Sequence, residues 1–110
     1  MTTALLALAL LLLVSCTTPI SHVDTPGWPK LAVREHHVSH REMRDVCAKY
    51  QAPGVAAEGC AEINLRAKTC DVWLSADFPS ASNREHELLH CEGKDHPGGT
   101  FMRDLLRASK

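Results

Sequence analysis

The order of apolar and polar positions changes period several times along the chain, and each change marks an element. Ala4 to Val14 is an unbroken apolar run. It is too short to span a bilayer as a helix and has the length of the apolar core of an export signal. From Thr17 to Lys30 the chain turns polar and carries Pro19, Pro26, Gly27 and Pro29, the composition of a tether. Its His22 and Trp28 are read as incidental. Leu31 to Val38 alternates imperfectly, as a first strand would, with His36 and His37 on opposite faces and both read as solvated. Ser39 followed by Glu42 forms a capping box, and Met43, Val46, Cys47 and Tyr50 recur along one helical face. A helix from about His40 to Tyr50 is expected, closed by the breaker pair Pro53-Gly54, with Tyr50 in the core.

Strict alternation then appears twice. Ala61 to Leu65 and Cys70 to Phe78, joined by Arg66 to Thr69, read as a hairpin. With Ile63, Leu65, Cys70, Val72 and Leu74 on the core face, Cys60 points the other way. Ser82 with Glu85 makes a second capping box, which starts a helix one turn before His86 and leaves Leu88 and Leu89 to pack on the sheet. Pro97-Gly98-Gly99 turns the chain. After Thr100, a possible cap, Phe101, Met102, Leu105 and Leu106 give a short amphipathic C-terminal helix. The sum is an α+β domain: a small antiparallel sheet, hairpin plus one extra strand, against the helix that carries His86 and two further short helices.

Composition changes this picture in one respect. Of 110 residues, about 95 remain after removal of an export signal, a size at which the apolar core alone is marginal. Four cysteines, Cys47, Cys60, Cys70 and Cys91, remain beyond Cys16, and an even number in an exported domain reads as two disulfides with three possible pairings. Parity opposes Cys60 with Cys70. Of the remaining pairings, Cys47 with Cys60 and Cys70 with Cys91 is preferred because it fastens the hairpin to both helices. Cys91 as a metal ligand is the alternative, disfavoured because it points about 100° away from its neighbour His90 on a helix. The net charge of -1 comes with scattered basic residues, so no nucleic-acid partner is expected.

The chemistry concentrates in His86-Glu87-Leu88-Leu89-His90-Cys91-Glu92-Gly93-Lys94-Asp95-His96. Histidines four apart share one helix face and can reach one tetrahedral ion. Glu87, directly after the first, is placed to take a proton from water at the metal. Gly93 permits the positive φ that ends a helix and returns His96 as a third ligand. Asp95 is a candidate partner for a ligand histidine's second nitrogen.

The pattern H-E-x-x-H-x-x-G-x-x-H, with every fixed position filled, resembles the zinc signature of the metzincin metallopeptidases. That resemblance implies one Zn2+ per chain on His86, His90 and His96, Glu87 as general base, and a strand beside the helix that offers its edge to a peptide substrate, here Asp71 to Phe78. The family's methionine turn has one candidate, Met102, which falls in the predicted C-terminal helix, so that element is expected to be missing or replaced.

Leu13-Val14-Ser15-Cys16 resembles the lipobox of bacterial lipoproteins, which implies lipidation at Cys16 and, with Thr17 following, the periplasmic face of the outer membrane. The resulting organisation is a signal over 1–15, a lipidated cysteine and tether over 16–30, and a minimal zinc-metallopeptidase-like domain over 31–110. The expected function is zinc-dependent peptide-bond hydrolysis on a peptide or protein substrate at the cell envelope, with the chain held to the membrane by its lipid. The alternative is a non-catalytic zinc-binding envelope lipoprotein that serves as an interaction module. A third reading is a zinc amidase acting on cell-wall peptides.

Overall fold

A computed structural model describes residues 22–110. The apolar run 4–14, the sequence around Cys16 and the first residues of the expected tether lie outside the described residues. Strand β1 covers Ala32–Val38, helix α1 His40–Cys47, strand β2 Cys60–Asn64, strand β3 Thr69–Ser75, helix α2 Ala81–Cys91 and helix α3 Phe101–Ala108. A single 3-10 turn, Ala48–Tyr50, extends α1.

The α+β reading holds, with one correction to the sheet. The strand order is β1-β3-β2, and β2 and β3 form the expected antiparallel hairpin. β1 instead runs parallel to β3, in register from Ala32 opposite Thr69 to Val38 opposite Ser75, so the sheet is mixed. α1 and β2 together make the connection that a parallel pair requires. β3 is therefore central, and both of its edges are used. The expectation that Asp71 to Phe78 offers an open edge fails for this reason. That role passes to β2, which among the described strands pairs only with β3.

Alternation along β3 sorts the interior into two cores, one on each face. Cys70, Val72 and Leu74 share one face with Leu31 and Cys91, and Trp28, Ala61, Ile63, Leu65 and Leu88 pack against them. On the other face Met43, Cys47, Ala57 and Cys60 form a second cluster with Val38 and Trp73. The parity argument of the hairpin is thus observed: Ile63 stands opposite Cys70 and Cys60 opposite Trp73. Each face has its own disulfide, Cys47 to Cys60 and Cys70 to Cys91, so one bond fixes α1 and the other fixes α2.

Caps and surface contacts complete the frame. Ser39 caps α1 by accepting from the Glu42 N–H at 3.2 Å. The cap of α2 is Ser80 and not Ser82: its hydroxyl accepts from Asn83 N–H at 3.2 Å, and Ser82 lies within the helix, its hydroxyl 3.1 Å from that of Ser80. Glu35 of β1 holds Arg84 of α2 through two bonds of 2.6 and 2.8 Å. On the opposite face His36 stacks on Trp73, ring centres 4.1 Å apart, and pairs with Asp71. His40, at the head of α1, sits edge-on to Phe78. Tyr50, expected in the core, is 45% exposed and donates to Glu62, because the 3-10 turn rotates it off the apolar stripe of α1.

Closing loops of 13 and 21 residues, the two disulfides each restrict the unfolded chain by about 3 kcal/mol. Replacing either pair with serines should lower the unfolding free energy by about 2–4 kcal/mol in a urea titration. A loss below about 1 kcal/mol for either pair would show that packing alone holds that helix.

Candidate metal centre

The site begins with the way α2 ends. Gly93 has φ 79°, its N–H donates to His90 O at 2.9 Å, and the Lys94 N–H reaches back to Leu89 O at 3.1 Å. These two bonds make a Schellman motif, which needs the left-handed conformation glycine adopts most easily. Glycine is required here for a second reason: a Cβ would lie 2.3 Å from Cγ of Trp28. The turn brings the Lys94 carbonyl back over the helix, where it lies 2.8 Å from Nδ1 of His90. A proton on Nδ1 leaves Nε2 as the free lone pair, the usual way a ligand histidine is oriented.

Nε2 of His90 then faces Nε2 of His86 at 3.1 Å. Two ligand nitrogens about 2.0–2.1 Å from one tetrahedral ion stand about 3.3 Å apart, so the pair already has the spacing that a shared ion imposes. His86, His90 and His22 each offer a nitrogen within 4.8 Å of the others, close enough to bind one metal ion. His96, expected as the third ligand, follows the turn and is exposed; its ring centre lies 5.0 Å from that of His86 and 4.9 Å from that of His90, but it stands outside the group of nitrogens that all lie within 4.8 Å of one another.

His22, read from the sequence as incidental, is the residue that sequence reasoning missed. It arrives on a segment that behaves as a docked arm over 22–30 rather than as a tether. Val23 and Asp95 exchange two backbone hydrogen bonds of 2.7 Å, the Thr25 hydroxyl donates to Gly93 O, and Lys94 pairs with Asp24. Trp28 lies on Gly93 and donates from Nε1 to Cys91 O at 3.0 Å. The signal available was Trp28 itself, since a large aromatic ring in a proline-rich segment marks a place where that segment is held against a surface.

Asp95 has a different task from the one expected of it. It is 7% exposed, and its two carboxylate oxygens accept backbone N–H groups, from His96 at 2.8 Å and from Met102 at 3.0 Å. It holds the turn and the start of α3 together and leaves the imidazoles to others. Met102 lies in α3, as expected, and is buried. With Phe101 and Leu105 it forms one wall of a groove of about 660 Å³ whose other walls include β2, His86, Glu87, His90 and His96.

The electrostatics suit cation binding. Burial, together with the charges that His90, His96 and His22 would carry, lowers His86 to about 4. Burial also lowers His90. The α2 pair is therefore neutral at pH 7, with lone pairs available to a metal. Glu87 goes the opposite way: burial alone raises it to about 7. A carboxyl poised near neutrality is suited to general base catalysis. Comparison of the chain with protein-family models, with curated proteins and with solved structures finds no match in any of the three.

The rise of Glu87 from its ordinary 4.5 to about 7 corresponds to about 3 kcal/mol at most. The acid form is favoured in the folded chain, so this cost is absent below pH 4.5, grows between pH 4.5 and 7 as the unfolded chain ionises first, and is constant above 7. In metal-free protein, Glu87→Gln should therefore be about 2–3 kcal/mol more stable than wild type at pH 8 and equal to it at pH 4, as read by chemical denaturation. Equal stabilities at pH 8 would mean that Glu87 is solvated.

Proposed function

We propose that the chain is a zinc-dependent hydrolase of peptide bonds, with His86, His90 and His96 as metal ligands and Glu87 as general base. The observation that carries this reading is Glu87. The half-buried Glu87 carboxyl lines the groove with His86 and His90 and burial holds it up, to about 7; a site that merely stapled the fold would gain nothing from a carboxyl there. Costly, perturbed carboxyls of this kind concentrate where proton transfer is needed.

Bound between the imidazoles, zinc would polarise the scissile carbonyl and make the attacking water more acidic. Glu87 would then accept the proton of that water and pass it to the leaving amine. The Lys94 carbonyl keeps His90 turned toward His86 while this occurs. The groove borders β2 at Gly59, Cys60, Ala61 and Ile63, and a strand edge there can hold an extended peptide by its main chain. Phe101, Met102 and Leu105 offer apolar contact to a side chain near the bond. The apolar run over 4–14 and the Cys16 context support action at the cell envelope, with a lipid at Cys16 as the anchor.

One observation favours the non-catalytic reading. His22 already supplies a nitrogen to the His86–His90 pair, and a metal surrounded by protein ligands has no position for water. In that case the chain is a metal-stabilised interaction module.

Elemental analysis of purified chains separates these readings when it is joined to a peptide-hydrolysis assay. We expect one zinc per chain, lost in His90→Ala and kept in Glu87→Ala, with hydrolysis in Glu87→Ala reduced by about 10²–10⁴-fold. Zinc without hydrolysis in the wild type would leave the module. No zinc after supplementation would sink both readings.

A further inference from the structure

We propose that His22 is itself a metal ligand, and that the arm carrying it closes the fourth position of the His86–His90–His96 site. The inference rests on the reading of that cluster as a metal centre and goes beyond it in ligand count and in what controls access.

Four imidazoles converge from three separate parts of the chain: two from α2, one from the loop after Gly93, and one from the arm. Their six ring-centre separations are 4.6 Å for His86 and His90, 4.9 Å for His22 and His86, 4.9 Å for His90 and His96, 5.0 Å for His86 and His96, 5.6 Å for His22 and His90, and 5.8 Å for His22 and His96. Four imidazoles around one tetrahedral ion, bound through nitrogens at about 2.0–2.1 Å, have ring centres about 5 Å apart. The ring spacing is that of histidines gathered about one ion: His22, His86 and His90 already bring nitrogens within 4.8 Å of one another, and His96 stands outside that group with its ring centre beside theirs.

The arm is held independently of any ion. Val23 bonds to Asp95, Thr25 to Gly93 and Trp28 to Cys91, so His22 is presented to the site by the same turn that orients His90. Trp28 packs against the core and anchors the arm, so lifting His22 needs only the Val23–Asp95 and Thr25–Gly93 bonds to open, a local event. With the arm docked, the four histidines fill the shell. With the arm lifted, His86, His90 and His96 remain, and the fourth position is open to water or a substrate carbonyl, the arrangement typical of catalytic zinc sites.

Cobalt(II), a visible probe of zinc sites, tests this in the full chain, with azide as a small ligand that binds only where a coordination position is open. In wild type, azide should leave the cobalt spectrum unchanged. His22→Ala should bind cobalt about 10–100-fold more weakly, and azide should shift its spectrum. His22→Gln, with a polar side chain of similar reach, should behave the same way and serves if the alanine variant does not fold. An azide shift in wild type as large as in the variants, or unchanged cobalt affinity in both variants, would overturn the role of His22 and leave a three-histidine site intact. No cobalt uptake by wild type would overturn the metal centre itself.

Discussion

The alternation of side chains along β3 governs the molecule. Cys70, Val72 and Leu74 face α2, while Asp71 and Trp73 face the side covered by α1. One central strand therefore serves two thin cores, and a domain of this size gains limited stability from apolar area alone. The disulfides supply what area does not. Cys60 must point away from Cys70 for both faces to be stapled, and a shift of one residue in the hairpin register would put both cysteines on one side and release a helix.

The second staple matters most to the chemistry, because Cys91 is the residue after His90. Its bond to β3 fixes the last turn of α2 against the sheet, and the Schellman turn at Gly93 follows immediately. That turn does three jobs with few atoms. It returns His96 toward the helix, aims the Lys94 carbonyl at His90, and leaves a bare Cα on which Trp28 can lie. A larger residue at position 93 would disturb the helix end, the ligand orientation and the docking of the arm together. Asp95 then joins the turn to α3 and, through its backbone, to Val23. The orientation of His90 and the docking of the arm thus share one short stretch of chain.

What was legible in the sequence was what short-range geometry determines. The helix face of His86 and His90, the adjacency of Glu87, the turn at Gly93 and the parity of Cys60 against Cys70 all follow from periods of 3.6 and 2 within a few residues. The direction of β1 was not legible, because its partner is chosen by packing across the sheet and its own alternation is weak. Nor was His22, which lies 64 positions before His86 and reaches it through Trp28 and the Val23–Asp95 pairing. Its composition of proline, glycine and polar residues describes a segment without regular structure, and such a segment can be either free or docked. Tyr50 was misplaced for a related reason: the change from α to 3-10 geometry after Cys47 moves the last residue of the stripe onto the surface.

The two features that point toward different functions have a common physical origin. Glu87 and His22 both stand at the His86–His90 cluster: the half-buried carboxyl is raised by burial, and the imidazole brings a nitrogen within 4.8 Å of those of the pair. A divalent ion would stabilise both at once, offsetting the buried negative charge by its field and engaging the nitrogen directly. The docked arm and the base are then not competing designs. With His22 beside the other imidazoles an ion would be shielded and Glu87 would have no metal-bound water to act on; displacement of the His22 imidazole would open that position and the groove beside it. Whether such a site were closed or open would turn on the bonds of residues 23–25 to the turn after α2, since Trp28 stays packed on the core. An ion held by His86 and His90 would stay with the chain in either state, because a metal shell is worth far more than those bonds.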